Sequence, residues 1–173
     1  FVLSGLNLAF LGYYFNDEIK LYKNLYHWQD GIFSRVFKFS NIEKLPGRDL
    51  LKNLKLNGKI KNIIVLGNLT LRTKNYLTEK FNRKIFSYNL PYGTIDKILD
   101  SVPKKLPKDS LILITLPTPK QEIIAEKLSK KMKKYKIICI GASLAMCAGE
   151  EKIVPSFLEK RGLEFLWRLR TDT

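Results

Sequence analysis

Histidine is almost missing from this chain. His27 is the only one in 173 residues, and cysteine occurs twice, at Cys139 and Cys147. The two thiols lie far from any Cys-x-x-Cys spacing, which argues against a zinc site built from Cys and His. One histidine leaves little room for a Ser-His-Asp hydrolase, and no Gly-x-Ser-x-Gly elbow occurs. There is no Gly-x-Gly-x-x-Gly and no Gly-x-x-x-x-Gly-Lys-Ser/Thr, so neither Rossmann dinucleotide binding nor P-loop hydrolysis is indicated. No apolar run is long enough to span a bilayer. No signal-peptide pattern is visible, and because the chain opens on Phe1 without an initiating Met, a preceding segment is left open. Acidic residues are scarce as well. Sixteen Asp+Glu face 31 Lys+Arg, a net charge of +15. That excess points to phosphate somewhere: in nucleic acid, in a nucleotide, or in an anionic membrane surface.

What is present is an ordinary globular balance, 45% hydrophobic and 27% charged, at a length that suits one domain with a sizeable core. Cys139 sits inside an apolar run and is expected buried and reduced, which fits the cytosol. Phe1 to Phe10 reads as a strand leading into a helix, and Asn16 to Tyr26 carries a weak helical pattern. Trp28-Gln29-Asp30-Gly31 reads as a turn, Ile32 to Phe39 as a strand, and Asp49 to Leu56 as a short helix after the Pro46-Gly47 break. From Ile60 the pattern becomes regular. Strands over Ile60–Leu66 and Lys84–Tyr88 alternate with helices over Thr70–Phe81 and Thr94–Val102. Then come a strand from Leu111, a helix over Pro119–Lys134 and a strand over Lys136–Ile140. Alternation of this kind predicts βαβ units, a mostly parallel sheet and right-handed crossovers.

Leu111 to Glu122 organises the rest. Its apolar first half reads as a buried parallel strand. Its second half reads as a helix start, with Thr118 at the N-cap, Pro119 at the first helical position and Gln121 three residues after the cap. Such a junction puts unpaired N–H groups at the carboxyl edge of the sheet, where anions bind in open α/β folds. Lys120, Gln121 and Glu122 are expected at that edge. A plain strand–helix junction explains the same residues as caps. The turns Asp30-Gly31, Gly67-Asn68, Pro91-Tyr-Gly93 and Gly141-Ala-Ser143 follow strands and should gather nearby. Asp30 is either a turn residue or, at a pocket edge, a general base. The tail Leu163-Glu-Phe-Leu-Trp-Arg-Leu-Arg170 suits either a membrane-interface segment or a core helix with snorkelling arginines.

The motifs, taken together, resemble a known family. Pro119-Lys-Gln-Glu122 follows an apolar strand. Ile140-Gly-Ala-Ser, Ala148-Gly149 and Pro155 follow the next strand, and Gly162-Leu-Glu-Phe-Leu-Trp-Arg-Leu169 closes the series. Asn7, Asp30-Gly31 and Lys44-Leu-Pro-Gly-Arg-Asp-Leu50 match earlier features. The set is similar to the WecG/TagA/CpsF glycosyltransferases, glycosyltransferase family 26. The resemblance implies a single Rossmann-like α/β domain over residues 1–162, with a mostly parallel sheet flanked by helices. Residues 163–173 would begin a short amphipathic, basic and aromatic segment that docks on membrane and is expected to continue beyond Thr173.

By the same resemblance the chain moves N-acetylmannosamine or a related hexose. The donor is a UDP-sugar and the acceptor a polyprenyl-diphosphate-linked sugar, with inversion and without a metal or other cofactor. The place is the cytoplasmic face of the bacterial plasma membrane, at an anionic surface, in capsule or teichoic acid assembly, and homo-oligomers occur among the relatives. Asp30 would be the base, with Lys44 near it where the family has Arg. Asn7, Gly67, Thr118, Lys120, Gln121, Glu122 and Gly141 would form the nucleotide-sugar pocket. Trp167, Arg168 and Arg170 would meet the membrane and the lipid diphosphate.

Four departures stand out. Pro117 replaces the family's Gly, Ala145 its Asp, Ile153-Val154 its Arg-Ala before Pro155, and Lys44 its Arg, which loses the bidentate fork. They support a competing reading, an altered member acting as a membrane-surface scaffold. A basic nucleic-acid-binding α/β protein is the other alternative, raised by Lys127, Lys130, Lys131, Lys133, Lys134 and Lys136; a solvated helix face explains the same lysines, and no specific nucleic-acid partner is expected.

Overall fold

The computed structural model describes residues 1–30, 44–152, 154–155 and 157–158. Among these residues six parallel strands form one sheet: β1 (Val2–Leu6), β2 (Leu25–Gln29), β3 (Asn62–Leu66), β4 (Lys84–Tyr88), β5 (Ser110–Ile114) and β6 (Lys136–Cys139), in the order β2-β1-β6-β5-β3-β4. The helices are α1 (Leu8–Phe15), α2 (Gly47–Asn53), α3 (Leu71–Phe81), α4 (Ile95–Ser101), α5 (Lys120–Lys131) and α6 (Ser143–Cys147). This is the expected α/β fold.

The central strands read as unbroken apolar runs because helices cover both faces of the sheet. Ile63 to Leu66 and Ile112 to Ile114 have no exposed surface. Each such side chain contributes about 1.5–3 kcal/mol by leaving water. One core layer joins Ile64, Leu66, Ile112 and Ile114 to Ile98 of α4 and to Ile124 and Leu128 of α5. The other joins Ile63, Val65, Leu111 and Leu113 to Leu51 of α2, Leu77 and Phe81 of α3 and Leu144 of α6. α1 shares the α5 face: Phe10 packs edge-on against His27, which lies beside Ser4 in register, and Ser4 bonds Glu122 of α5. Burial lowers the pKa of His27 below its ordinary value. Thus β1, β4 and β5 hand over to helices on one face, and β3 and β6 to helices on the other. Between these two sets of turns a crevice opens at the carboxyl edge.

Three sequence expectations are corrected here. Asn16 to Tyr26 is not a helix. α1 ends at Phe15, Asn16 caps it, and Asp17 takes a left-handed conformation (φ 58°) that stops further winding. Pairing with β1 then draws Leu25 and Tyr26 into β2, the outermost of the described strands on that side. Trp28 and Gln29 belong to that strand too, so no turn begins before Asp30. At α5, Thr118 is not a capping residue. The helix begins at Lys120 after a cis Thr118–Pro119 peptide, and the Gln121 N–H goes to the Pro117 carbonyl at 3.3 Å. The strand expected over Ile32–Phe39 lies outside the described residues, as do Gly31 and the segment 163–173. Of the helix expected over Phe157–Arg161, Phe157 and Leu158 are described and helical.

Candidate functional site

A cleft of about 670 Å³ occupies the carboxyl edge. Asn7, Asp30, Gly67, Thr118, Lys120, Gln121 and Gly141 all line it. Seven of the nine pocket and catalytic residues read from the sequence therefore meet in one place, brought there by the exits of β1, β2, β3, β5 and β6.

Asp30 directly follows β2. Its N–H donates to the Leu6 carbonyl at the end of β1, 3.1 Å away. Its side chain lies over Gly5, where an added Cβ would stand 3.1 Å from Asp30 Oδ2 and 3.1 Å from the Trp28 ring. The absence of a side chain at Gly5 lets the carboxylate and the indole approach the strand end. Asn7 caps α1 by accepting the Phe10 N–H at 3.0 Å, which fixes its carboxamide at the rim.

Gly67 (φ 133°) and Gly141 (φ 50°) adopt conformations that favour glycine, and a Cβ at Gly67 would collide with Thr115 Oγ1. Their own N–H groups are engaged, with Tyr88 O at 3.0 Å and Gln121 Oε1 at 3.0 Å. The next amides along, those of Asn68 and Ala142, have no acceptor among the described residues. The glycines thus shape the turns, and their successors carry the free donors.

The Pro-Lys-Gln-Glu residues divide their roles. Lys120 Nζ donates to the Gly93 carbonyl at 3.3 Å, on the side of the cleft formed by the β4 and β5 exits. Gln121 ties the β5 and β6 exits together, accepting from Gly141 N and donating through Nε2 to Thr118 Oγ1 at 3.2 Å and Glu122 Oε1 at 2.9 Å. Glu122 does not line the cleft. At 2% exposure it lies under α5, turned toward the sheet, where Oε1 also accepts from Ser4 Oγ at 2.8 Å and from Thr118 Oγ1 at 3.3 Å. Its Oε2 is buried without a partner among the described residues. Burial raises its pKa, opposed by those hydrogen bonds. One step along a helix turns a side chain by about 100°, which is why Gln121 faces the turns and Glu122 the core. Cys139 donates to the Gln121 carbonyl at 3.6 Å, and its thiol is also held well above its ordinary pKa by burial. Lys44 is not among the lining residues. It sits beside the β2 exit, where the N–H of Leu45 donates to the Gln29 carbonyl at 2.9 Å. Trp167, Arg168 and Arg170 fall outside the described residues.

The lining also includes residues to which the sequence assigned no site role, among them Trp28, Thr70, Tyr92 and Glu150. Tyr92 stands 90% exposed at the mouth. Thr70 accepts the Thr73 N–H and caps α3, and its hydroxyl bonds Glu150 Oε1. Thr70 carries a sequence signal, an N-cap before a helical stripe; Glu150, after Gly149, carries none. Among the described lining residues the carboxylates are Asp30, Glu150 and Glu151, and the one basic side chain is Lys120.

The parallel doubly wound sheet and the crevice at its switch in helix direction define an α/β protein of the open-sheet class, in which ligands bind at the carboxyl edge. Residues 32–172 match the model of the glycosyl transferase WecG/TagA/CpsF family, and the chain belongs to that family. It is a glycosyltransferase of a family that serves cell-surface polysaccharide synthesis. Asn7 and Asp30 precede the matched segment. No curated protein matches the chain. No helix among the described residues is long and apolar enough to cross a membrane.

Proposed function

We propose that the cleft transfers a hexose, N-acetylmannosamine or a close relative, from a UDP-sugar to a polyprenyl-diphosphate-linked acceptor with inversion. What carries the reading is that Asp30 and six of the pocket residues picked out by the family resemblance line one cleft at the edge where open α/β sheets bind ligands. Asp30 accepts the proton of the acceptor hydroxyl as its oxygen attacks the anomeric carbon. The bond from that carbon to the diphosphate oxygen breaks on the opposite side, and UDP leaves.

The leaving diphosphate needs positive charge. Lys120 supplies one cation once it exchanges the Gly93 carbonyl for phosphate, and the amides of Asn68 and Ala142 add dipoles. Arg168 and Arg170, on the membrane-docking segment beginning near residue 163, complete the neutralisation at an anionic bilayer. No metal enters this scheme, and Lys44 acts beside Asp30 rather than on the donor. The direct test is turnover of UDP-N-acetylmannosamine on a lipid-diphosphate-N-acetylglucosamine analogue. Asp30→Asn is expected to lower kcat by about 10²–10⁴; equal rates would remove Asp30 as the base.

One observation favours a second reading. Three carboxylates and a single lysine among the described lining residues suit a dianion poorly, which fits an altered family member acting as a membrane-surface scaffold. Failure of every UDP-sugar to bind would select it.

A further inference from the structure

The far half of the cleft holds a carboxylate that the transfer chemistry leaves unused. Glu150 follows α6 and lines the cleft. Its Oε1 accepts the hydroxyl proton of Thr70, while the lone pair of that hydroxyl takes the Thr73 N–H at 3.1 Å. One threonine thus caps α3 and fixes the carboxylate at the cleft wall. The rest of the carboxylate is exposed, so an acceptor oxygen remains for a ligand. Ser143, Leu144, Ala145 and Met146 of α6 line the same cleft and offer no acid of their own.

Distance decides what Glu150 can touch. The Asp30 carboxylate lies over Gly5 of β1, and Thr70 follows the exit of β3, three strand intervals away in the order β1-β6-β5-β3. At about 4.8 Å per interval the two positions are roughly 14 Å apart. Carboxyl pairs that serve one glycosidic centre stand only about 5–9.5 Å apart. Glu150 therefore meets the opposite end of any ligand whose reacting carbon lies at Asp30. In a nucleoside-diphosphate sugar that end is the nucleoside. Its paired ribose hydroxyls are adjacent O–H donors, the complement of an acceptor-only carboxylate, and dinucleotide-binding α/β sheets likewise set an acidic side chain on a ribose 2′-OH.

Resting on the UDP-sugar reading, we propose that Glu150, positioned by Thr70, binds the ribose hydroxyls of the donor and sets its direction along the cleft, nucleoside at β3 and sugar at β1.

The test is calorimetric titration of UDP, 2′-deoxy-UDP and 3′-deoxy-UDP into wild type and Glu150→Ala. Glu150 is exposed, and a thermal melt verifies that the variant is folded. Wild type should prefer UDP over at least one deoxy nucleotide by about tenfold or more, the worth of a hydrogen bond to a charged group. Glu150→Ala should bind UDP only as well as that deoxy nucleotide, whose own affinity stays unchanged. Equal preference in wild type and variant, or an equal loss for UDP and both deoxy nucleotides, overturns the assignment and leaves the transferase reading standing. Wild type that binds none of the three sinks that reading and this one together.

Discussion

The two edges of the sheet differ in charge as sharply as they differ in shape. At the amino edge, the turns leading into β3 to β6 and the first residues of the strands carry Lys59, Lys61, Arg83, Lys84, Lys104, Lys105, Lys108, Lys133, Lys134 and Lys136, against one carboxylate, Asp109. At the carboxyl edge, the turns leaving β3 to β6 contain no Lys or Arg before the next helix begins. The +15 of the chain therefore says little about its cleft. Helix C-termini gather at the amino edge, and lysines there complement the helix dipoles; Lys130 also pairs with Glu126 at 2.7 Å within α5. A net charge that hints at phosphate identifies no phosphate site. The described lining of the cleft offers instead one lysine, oriented amides and a few carboxylates.

The comparison can be broken by mutation. The largest effect should come from Asp30→Asn, the loss of about 10²–10⁴ in kcat described above. Next is Lys120→Ala. Removing the one basic side chain among the described lining residues should weaken UDP binding by about 10–100-fold in a titration, the worth of a charge-assisted hydrogen bond.

Smaller on activity, but plain in stability, is Glu122→Ala. It strands Ser4 Oγ, Thr118 Oγ1 and Gln121 Nε2 beneath the cleft and should cost about 2–4 kcal/mol in urea unfolding. The same group gives a pH signature. Burial raises its pKa above the ordinary 4.5, so the folded chain keeps a proton that the unfolded chain has lost. Its stabilising contribution is full below about 4.5 and is lost as pH rises through the folded value. The stability of wild type relative to Glu122→Gln should fall over that rise, and a flat difference would mean that the acid is not desolvated. The smallest effect on catalysis should come from Lys133→Glu with Lys134→Glu. Transfer to a soluble acceptor analogue should stay within about twofold, because surface charges beyond a Debye length of about 8 Å are screened at physiological salt; retention on a heparin column should drop clearly. Equal damage to transfer would erase the distinction between the edges.

The sequence exposed the β3–β6 half more clearly than the rest for a physical reason. Strands covered on both faces must be apolar throughout, and Thr70 and Thr94 announce their helices by capping them. The β1–β2 half is harder to read because β2 is half-buried, so Ile19, Leu21, Leu25 and Tyr26 give a weak helical pattern, although the last two lie in the outermost of the described strands. At the site, seven of the residues named from the sequence and the family resemblance meet in one cleft, while several local contacts differ from those expected. Spacing could not show that the Pro117 carbonyl would take the amide meant for Thr118, that Gln121 would occupy the Gly141 N–H, or that Glu122 would turn inward. Those outcomes depend on where α5 lies over β1 and β6, a tertiary fact with no local signal. Glu150 is the extreme case: only the approach of Thr70, eighty residues away, brings it into view.

The most direct measurement is a crystal structure of the protein soaked with UDP. The nucleotide should lie along the carboxyl edge, with its diphosphate against the amides of Asn68 and Ala142 and the Lys120 ammonium. Density for UDP among the amino-edge lysines, with the cleft empty, would contradict the account.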